Sequence, residues 1–186
     1  IESIRRALAS RGCAALVVPS SDPHLSEYLP DHWKGREHFS GFTGSVGTLI
    51  VTPDFAGVWV DSRYWTQAEG QLAGTGVELM KLAGVGATAH VEWLAAHLKS
   101  GDAVVVDGNV LGLAAARQLQ SALQLLLAHH RIVQTGHHHP RQLRHRQCPL
   151  PLWQGWVAGI IHQAVWAKAR NPDPATGSAL PGCGRR

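Results

Sequence analysis

The sequence predicts an α/β fold: a single domain built around one mostly buried sheet flanked by helices, followed by an irregular C-terminal tail. Three observations carry this expectation. Short, continuously apolar runs at residues 13–18 and 103–106 have the length and composition of strands covered on both faces. Segments with helical spacing of apolar residues alternate with them. Two β-branched or apolar runs, residues 48–52 and 56–60, are separated only by Pro53, Asp54 and Phe55, so an antiparallel hairpin inside the sheet is the most economical connection.

Taken in order, residues 2–11 place Ile4, Ala7 and Leu8 on one side and Glu2, Arg5 and Arg6 elsewhere, an amphipathic helix that stops at Gly12. The buried strand at 13–18 ends at Pro19, and residues 20–30 form a polar loop. After the hairpin, Asp61 or Ser62 caps a helix carrying Tyr64, Ala68 and Leu72, which Gly74 and Gly76 break. Residues 77–82 read as a strand with Glu78 outward. Thr88 is the expected cap of a helix with Val91, Leu94, Ala95 and Leu98 in register. The strand at 103–106 leads to a helix over 113–126 with Ala116, Leu119, Leu123 and Leu126 in register. Beyond His129 the periodicity fades and prolines recur, although residues 157–169 have the composition of a short apolar helix.

At 186 residues the chain suffices for one ordinary domain, and its start at Ile1 in place of Met leads us to expect a fragment or trimmed product. The net charge of +4 hides two compositions. Residues 1–124 carry nine Lys/Arg against twelve Asp/Glu, and residues 125–186 eight against Asp173 alone. No acidic residue occurs from Gly108 to Pro172, although acidic residues make up about an eighth of ordinary globular sequence. We therefore expect a domain over 1–124 and an atypical basic His/Pro-rich tail over 125–186, either poorly ordered or the product of a reading-frame slip. Three cysteines, Cys13, Cys148 and Cys183, suggest neither a disulfide framework nor a zinc cage and fit a reducing cytosol. No signal core or apolar run of membrane-spanning length is present, so the chain reads as soluble, cytoplasmic and without a membrane partner.

Three strings, DPHLSEYLP, SGFTGSVGT and VDSRYWTQA, occur in that order between Asp22 and Ala68. Together they resemble the N-terminal domain of Xaa-Pro aminopeptidases of the long, three-domain cytosolic type, relatives of prolidase and creatinase. The resemblance covers about residues 1–124. It implies a creatinase/prolidase N-terminal-type fold around a mixed sheet. It also implies, elsewhere in the enzyme, a second domain of similar fold and a catalytic domain that cleaves the bond between a peptide's first residue and a following proline. That domain holds two divalent metals, usually manganese, on two Asp, one His and two Glu, none of which maps onto these residues. The partners so implied are the missing second and catalytic domains, proline-containing peptides and a homodimer.

Each candidate site has a structural alternative. Asp22, His24, Glu27 and Tyr28 lie within one loop, and a single loop rarely encloses a metal ion, so Asp22 and Ser21 are expected to bond local backbone. The resemblance places His24 and Tyr28 as candidates facing a substrate channel or a neighbouring domain. Gly41, Gly44 and Gly47 precede a strand and not a helix, which makes a poor phosphate cradle and a plausible tight turn, with Phe39 and Phe42 in the core. Arg63 either braces its turn through Asp61 or projects toward a peptide carboxylate or partner domain, with Tyr64 and Trp65 as interface anchors. The run His129, His130, His137, His138, His139 and His145 lacks a carboxylate to orient it and is expected to bind metals only loosely. Ser40, Ser45 and Ser62 lack a nucleophile-elbow context.

The expected function is therefore a non-catalytic domain of a metal-dependent Xaa-Pro aminopeptidase that shapes substrate access and holds domain or subunit contacts, with no catalytic residue or metal ligand of its own. The alternative is a stand-alone module whose basic tail engages nucleic acid or another polyanion, a partner the composition makes the lesser expectation.

Overall fold

Side chains alternate between the two faces of a strand, and here both faces are apolar. The computed structural model describes residues 1–82, 88–126 and 131–135. Six strands, β1 (Ala15–Pro19), β2 (Thr48–Val51), β3 (Ala56–Val60), β4 (Glu78–Lys81), β5 (Ala103–Asp107) and β6 (Arg131–Thr135), form one mixed sheet in the order β4-β3-β2-β1-β5-β6. Five helices, α1 (Glu2–Arg11), α2 (Gly35–Ser40), α3 (Trp65–Leu72), α4 (Ala89–His97) and α5 (Leu113–Leu126), connect them.

The alternation divides the core in two. Leu16, Val18, Leu49, Val51, Val58, Val60 and Val105 pack with Ile4 and Leu8 of α1 and with Ala68 and Leu72 of α3. Ala15, Val17, Ile50, Trp59, Val104 and Val106 pack with Val91 and Leu94 of α4 and with Leu119 and Leu123 of α5. Each fully buried Val, Leu or Ile contributes about 1.5–3 kcal/mol relative to exposure, so the two layers together hold the sheet from both sides. The result is the α/β domain with a mixed, buried sheet that the sequence predicts.

Strand direction positions the candidate site. β2 pairs antiparallel with β1 and β3, while β1–β5, β5–β6 and β3–β4 are parallel. β2 thus runs against the other five, and the carboxyl ends of those five lie at one end of the sheet. The start of β2 lies there too, since Thr48 pairs with Pro19.

Three local features differ from the sequence reading. Residues 31–40 form a 3-10 turn at Asp31–Trp33 and then α2, which no apolar periodicity announces. Thr88 stands at the start of α4, but its hydroxyl donates to the Glu92 carboxylate and does not cap backbone. Residues 131–135, read as tail, form β6 on the far side of β5. The rest of the basic tail, with the histidine run and residues 157–169, lies outside the described residues.

Candidate functional site

A cleft of about 240 Å³ opens at the carboxyl end of β1. Pro19 and Ser20 form its floor, Glu27, Tyr28 and Leu29 come from the loop after β1, and Trp33, Lys34, Arg36 and Glu37 from the turn and α2. Thr43, Gly44 and Ser45 close the remaining wall. In open α/β sheets this end of the strands is where ligands gather, because loops converge there on a rigid base.

Arg36 organises the cleft, and sequence reasoning missed it. Its side chain is almost completely enclosed, at 4% exposure. Nε donates to Ser20 Oγ at 2.6 Å, Nη1 donates to the Phe42 carbonyl at 2.8 Å, and Nη2 donates to the Gly44 carbonyl. The guanidinium also lies 4.7 Å from the centre of the Phe42 ring. Burial pushes the group down to about 10, so it remains charged at neutral pH. One side chain thereby ties α2, the end of β1 and the 42–45 loop together.

The same loop is held from its other side. Thr43 N–H donates to Gln71 Oε1 at 3.0 Å, and Gln67 and Gln71 both donate to Thr43 Oγ1. Gly44 has no room for a side chain: a Cβ there would stand 2.3 Å from Phe42 Cζ and 2.9 Å from Tyr64 Cδ1. Gly41 serves differently, ending α2 in the left-handed region at φ 77°. These glycines are structural, and Phe42 is fully buried as expected.

The loop after β1 is built on Asp22, which is 2% exposed. Its Oδ1 accepts the backbone N–H groups of Ser26 and His24, each at 2.9 Å. The bond from the Ser26 amide is the foremost cause holding the carboxyl below its ordinary value. That carboxylate is engaged with backbone, as the turn reading expects. His24 and Tyr28 are exposed, and Tyr28 borders the cleft, which His24 does not line.

Arg63 does brace its turn. Asp61 Oδ1 accepts Arg63 Nε at 3.0 Å and the Arg63 backbone N–H at 3.1 Å, while Oδ2 accepts Nη2 at 2.7 Å. This pair lowers the Asp61 carboxyl below its usual value, the Arg63 side-chain bonds contributing most, and raises Arg63. The Arg63 side chain nonetheless stays 64% exposed against 12% for Asp61, so its outer face is open. Tyr64 joins the cleft network: its hydroxyl shares a hydrogen bond with Ser45 Oγ at 2.6 Å and its ring meets Phe42 edge-on. Trp65 points elsewhere, donating to the Val60 carbonyl at 3.1 Å with the Lys81 ammonium 5.3 Å from its ring centre.

Comparison with known proteins gives this arrangement a family. The model of the creatinase/prolidase N-terminal domain matches residues 1–135. The chain belongs to that family. It is 38% identical to human Xaa-Pro aminopeptidase 2 over 124 residues, 67% of this chain and 18% of that protein. Against Arabidopsis thaliana aminopeptidase P2 it is 38% identical over 125 residues, again 18% of the relative. Among solved structures it resembles the X-prolyl aminopeptidase of Caenorhabditis elegans, described as a cytosolic enzyme with a di-nuclear active site, with a TM-score of 0.60 and 33% identity over 69% of this chain and 21% of that one. The N-terminal domain of the cytoplasmic peptidase PepQ from Mycobacterium tuberculosis shares the fold at a TM-score of 0.52, with 72% of this chain and 90% of that one covered. The chain spans about a fifth of the length of the curated relatives it matches.

The described residues do not fit a di-metal centre. Among them no group of three or more His, Cys, Asp or Glu side chains converges, and Asp22, the most buried acid of the first loop, is taken by backbone amides. Nor is any helix among them long and apolar enough to cross a membrane.

Proposed function

We propose that this chain is the non-catalytic N-terminal domain of a metal-dependent Xaa-Pro aminopeptidase, an enzyme that releases a peptide's first residue when proline follows. The observation that carries the reading is spatial: the first two of the three strings line one cleft at the carboxyl end of β1, and the third reaches it through the hydrogen bond of Tyr64 to Ser45. The 38% identity to Xaa-Pro aminopeptidases over 124 and 125 residues supports it.

In the whole enzyme the cleft end would border the path of the peptide. Tyr28 stands at its rim, with Tyr64 behind the Thr43–Ser45 wall, while the open face of Arg63 offers two-point recognition of a carboxylate from a peptide or a neighbouring domain. Trp65 and His24 lie outside the cleft, which leaves them the role of contacts to another domain or subunit. Two divalent cations, manganese in our reading, would belong to a catalytic domain carried elsewhere in the longer protein, which we place in the cytoplasm and allow to pair as a homodimer.

The first test uses the purified chain with manganese and a peptide carrying proline in second position. No turnover above background is expected, because polarising the scissile carbonyl and activating water require a complete ligand set. Hydrolysis that a chelator abolishes would overturn the assignment.

A further inference from the structure

The large hydrophobic side chains that stand exposed among the described residues are Leu25, Tyr28, Val46 and Leu113, at 69%, 82%, 42% and 65% exposure. They come from three separate connections, yet the strand directions put all of them at the same end of the sheet. Leu25 and Tyr28 follow the carboxyl end of β1, Val46 immediately precedes the start of β2, and Leu113 opens α5 after the carboxyl end of β5. Leu25 lies against the α5 entrance, its Cδ atoms 3.8 and 4.0 Å from where a Cβ on Gly112 would stand.

Leu25 is also held in an unusual conformation. At φ 55° it is the one non-glycine residue with positive φ among those described, and leucine has no local reason to occupy that region. The Asp22 carboxylate fixes it there by binding the amides on either side, at His24 and Ser26, while the Leu25 N–H donates to the Asp22 carbonyl at 3.1 Å. The loop thus spends a buried carboxylate and a disfavoured backbone to present an apolar side chain to solvent. Strain of this kind persists where a contact made elsewhere offsets it, and several large apolar groups exposed at one end of a sheet point to an interaction surface.

We propose that Leu25, Tyr28, Val46 and Leu113 form the docking surface for the domain that follows this one in the longer relatives. The inference rests on the reading given above and names its partner surface. The occupant is argued from strand direction: β6 is parallel to β5, so Thr135, the last described residue, stands at this same end of the sheet. The relatives hold more than four times the matched length outside the match, which is 18% of them. A domain arriving there covers the apolar rim and closes over the cleft.

The test is binding in trans, which does not depend on catalysis. The full chain is titrated calorimetrically with the C. elegans X-prolyl aminopeptidase produced without its N-terminal domain. Saturable binding is expected, weakened about tenfold or more by Leu25→Ser and by Leu113→Ser, the loss of one well-packed apolar anchor, with unchanged circular dichroism. No binding by the unaltered chain, or equal binding by both variants, overturns the proposal. Sedimentation that shows a dimer of the chain dissolved by Leu25→Ser would assign the surface to a second copy and overturn it equally. Binding without recovered peptidase activity would leave the docking surface standing and remove the role in substrate access.

Discussion

Asp61 holds Arg63 at three points, through Nε, Nη2 and the backbone N–H, although Arg63 is mostly exposed and Asp61 is nearly enclosed. The asymmetry decides which partner matters to the fold. Asp61→Ala removes both a turn cap and the acceptor, and is expected to cost about 1 kcal/mol or somewhat more. Arg63→Ala leaves the amide bond in place and is expected to lower the melting temperature by about 4 °C or less. Thermal melts of both variants check the order, and a larger loss in Arg63→Ala would reverse it.

The same pair sets a pH dependence. The Asp61 carboxyl is depressed in the folded state, so its contribution is fully present above the unfolded value, about 3.9, and is lost as pH falls through the lower folded value. Melting temperature measured from pH 6 down to pH 2 should therefore fall at the acid end. Asp61→Asn should show a shallower fall than the unaltered chain, and identical slopes would contradict the assignment.

Arg36 carries the cleft. Truncation to alanine strands the Phe42 and Gly44 carbonyls and opens a cavity, for an expected loss of about 3 kcal/mol or more in urea unfolding. Arg36→Lys keeps the charge but lacks the planar fork whose separate nitrogens reach Ser20, Phe42 and Gly44, so it should recover less than half of that loss. Full rescue by lysine would mean that charge, and not the fork, is what the site requires.

The two glycines of the loop separate crowding from conformation. Gly44→Ala drives a methyl group into the Phe42 ring and should cost about 2 kcal/mol or more. Gly41→Ala meets open space and pays only for its left-handed backbone, about 1 kcal/mol. Equal losses at the two positions would show that the ring of Phe42 yields.

Asp22→Ala should release the loop after β1. Hydrogen exchange at the His24 and Ser26 amides is expected to accelerate, while the amides of β1 keep their protection. Unchanged exchange at those two amides would show that the carboxylate does not fix the loop.

Much of this was legible in the sequence because it is local. The alternation that splits Leu16 and Val18 from Ala15 and Val17 is written in consecutive residues, and so are the Asp61 turn and the helix from Leu113 to Leu126. Arg36 was not legible. Between Gly35 and Glu37 it reads as part of a solvated turn, and its acceptors lie 16, 6 and 8 residues away, brought close only by the folded loop. β6 escaped for a related reason: a strand of five residues flanked by histidine pairs and runs gains its stability from pairing with β5, which no window of its own sequence contains. The exposure of Leu25 is likewise a product of Asp22 bonding, since leucine in sequence is ordinarily read as core.

The most direct test of the central claim replaces the N-terminal domain of the C. elegans X-prolyl aminopeptidase with residues 1–135 of this chain, the span that the family model matches. Hydrolysis of a peptide with proline in second position is then measured beside that of the enzyme lacking any N-terminal domain. The account predicts chelator-sensitive activity in the chimera, well above the truncated enzyme, and a loss of it on Arg36→Ala. A folded chimera no more active than the truncated enzyme would contradict it.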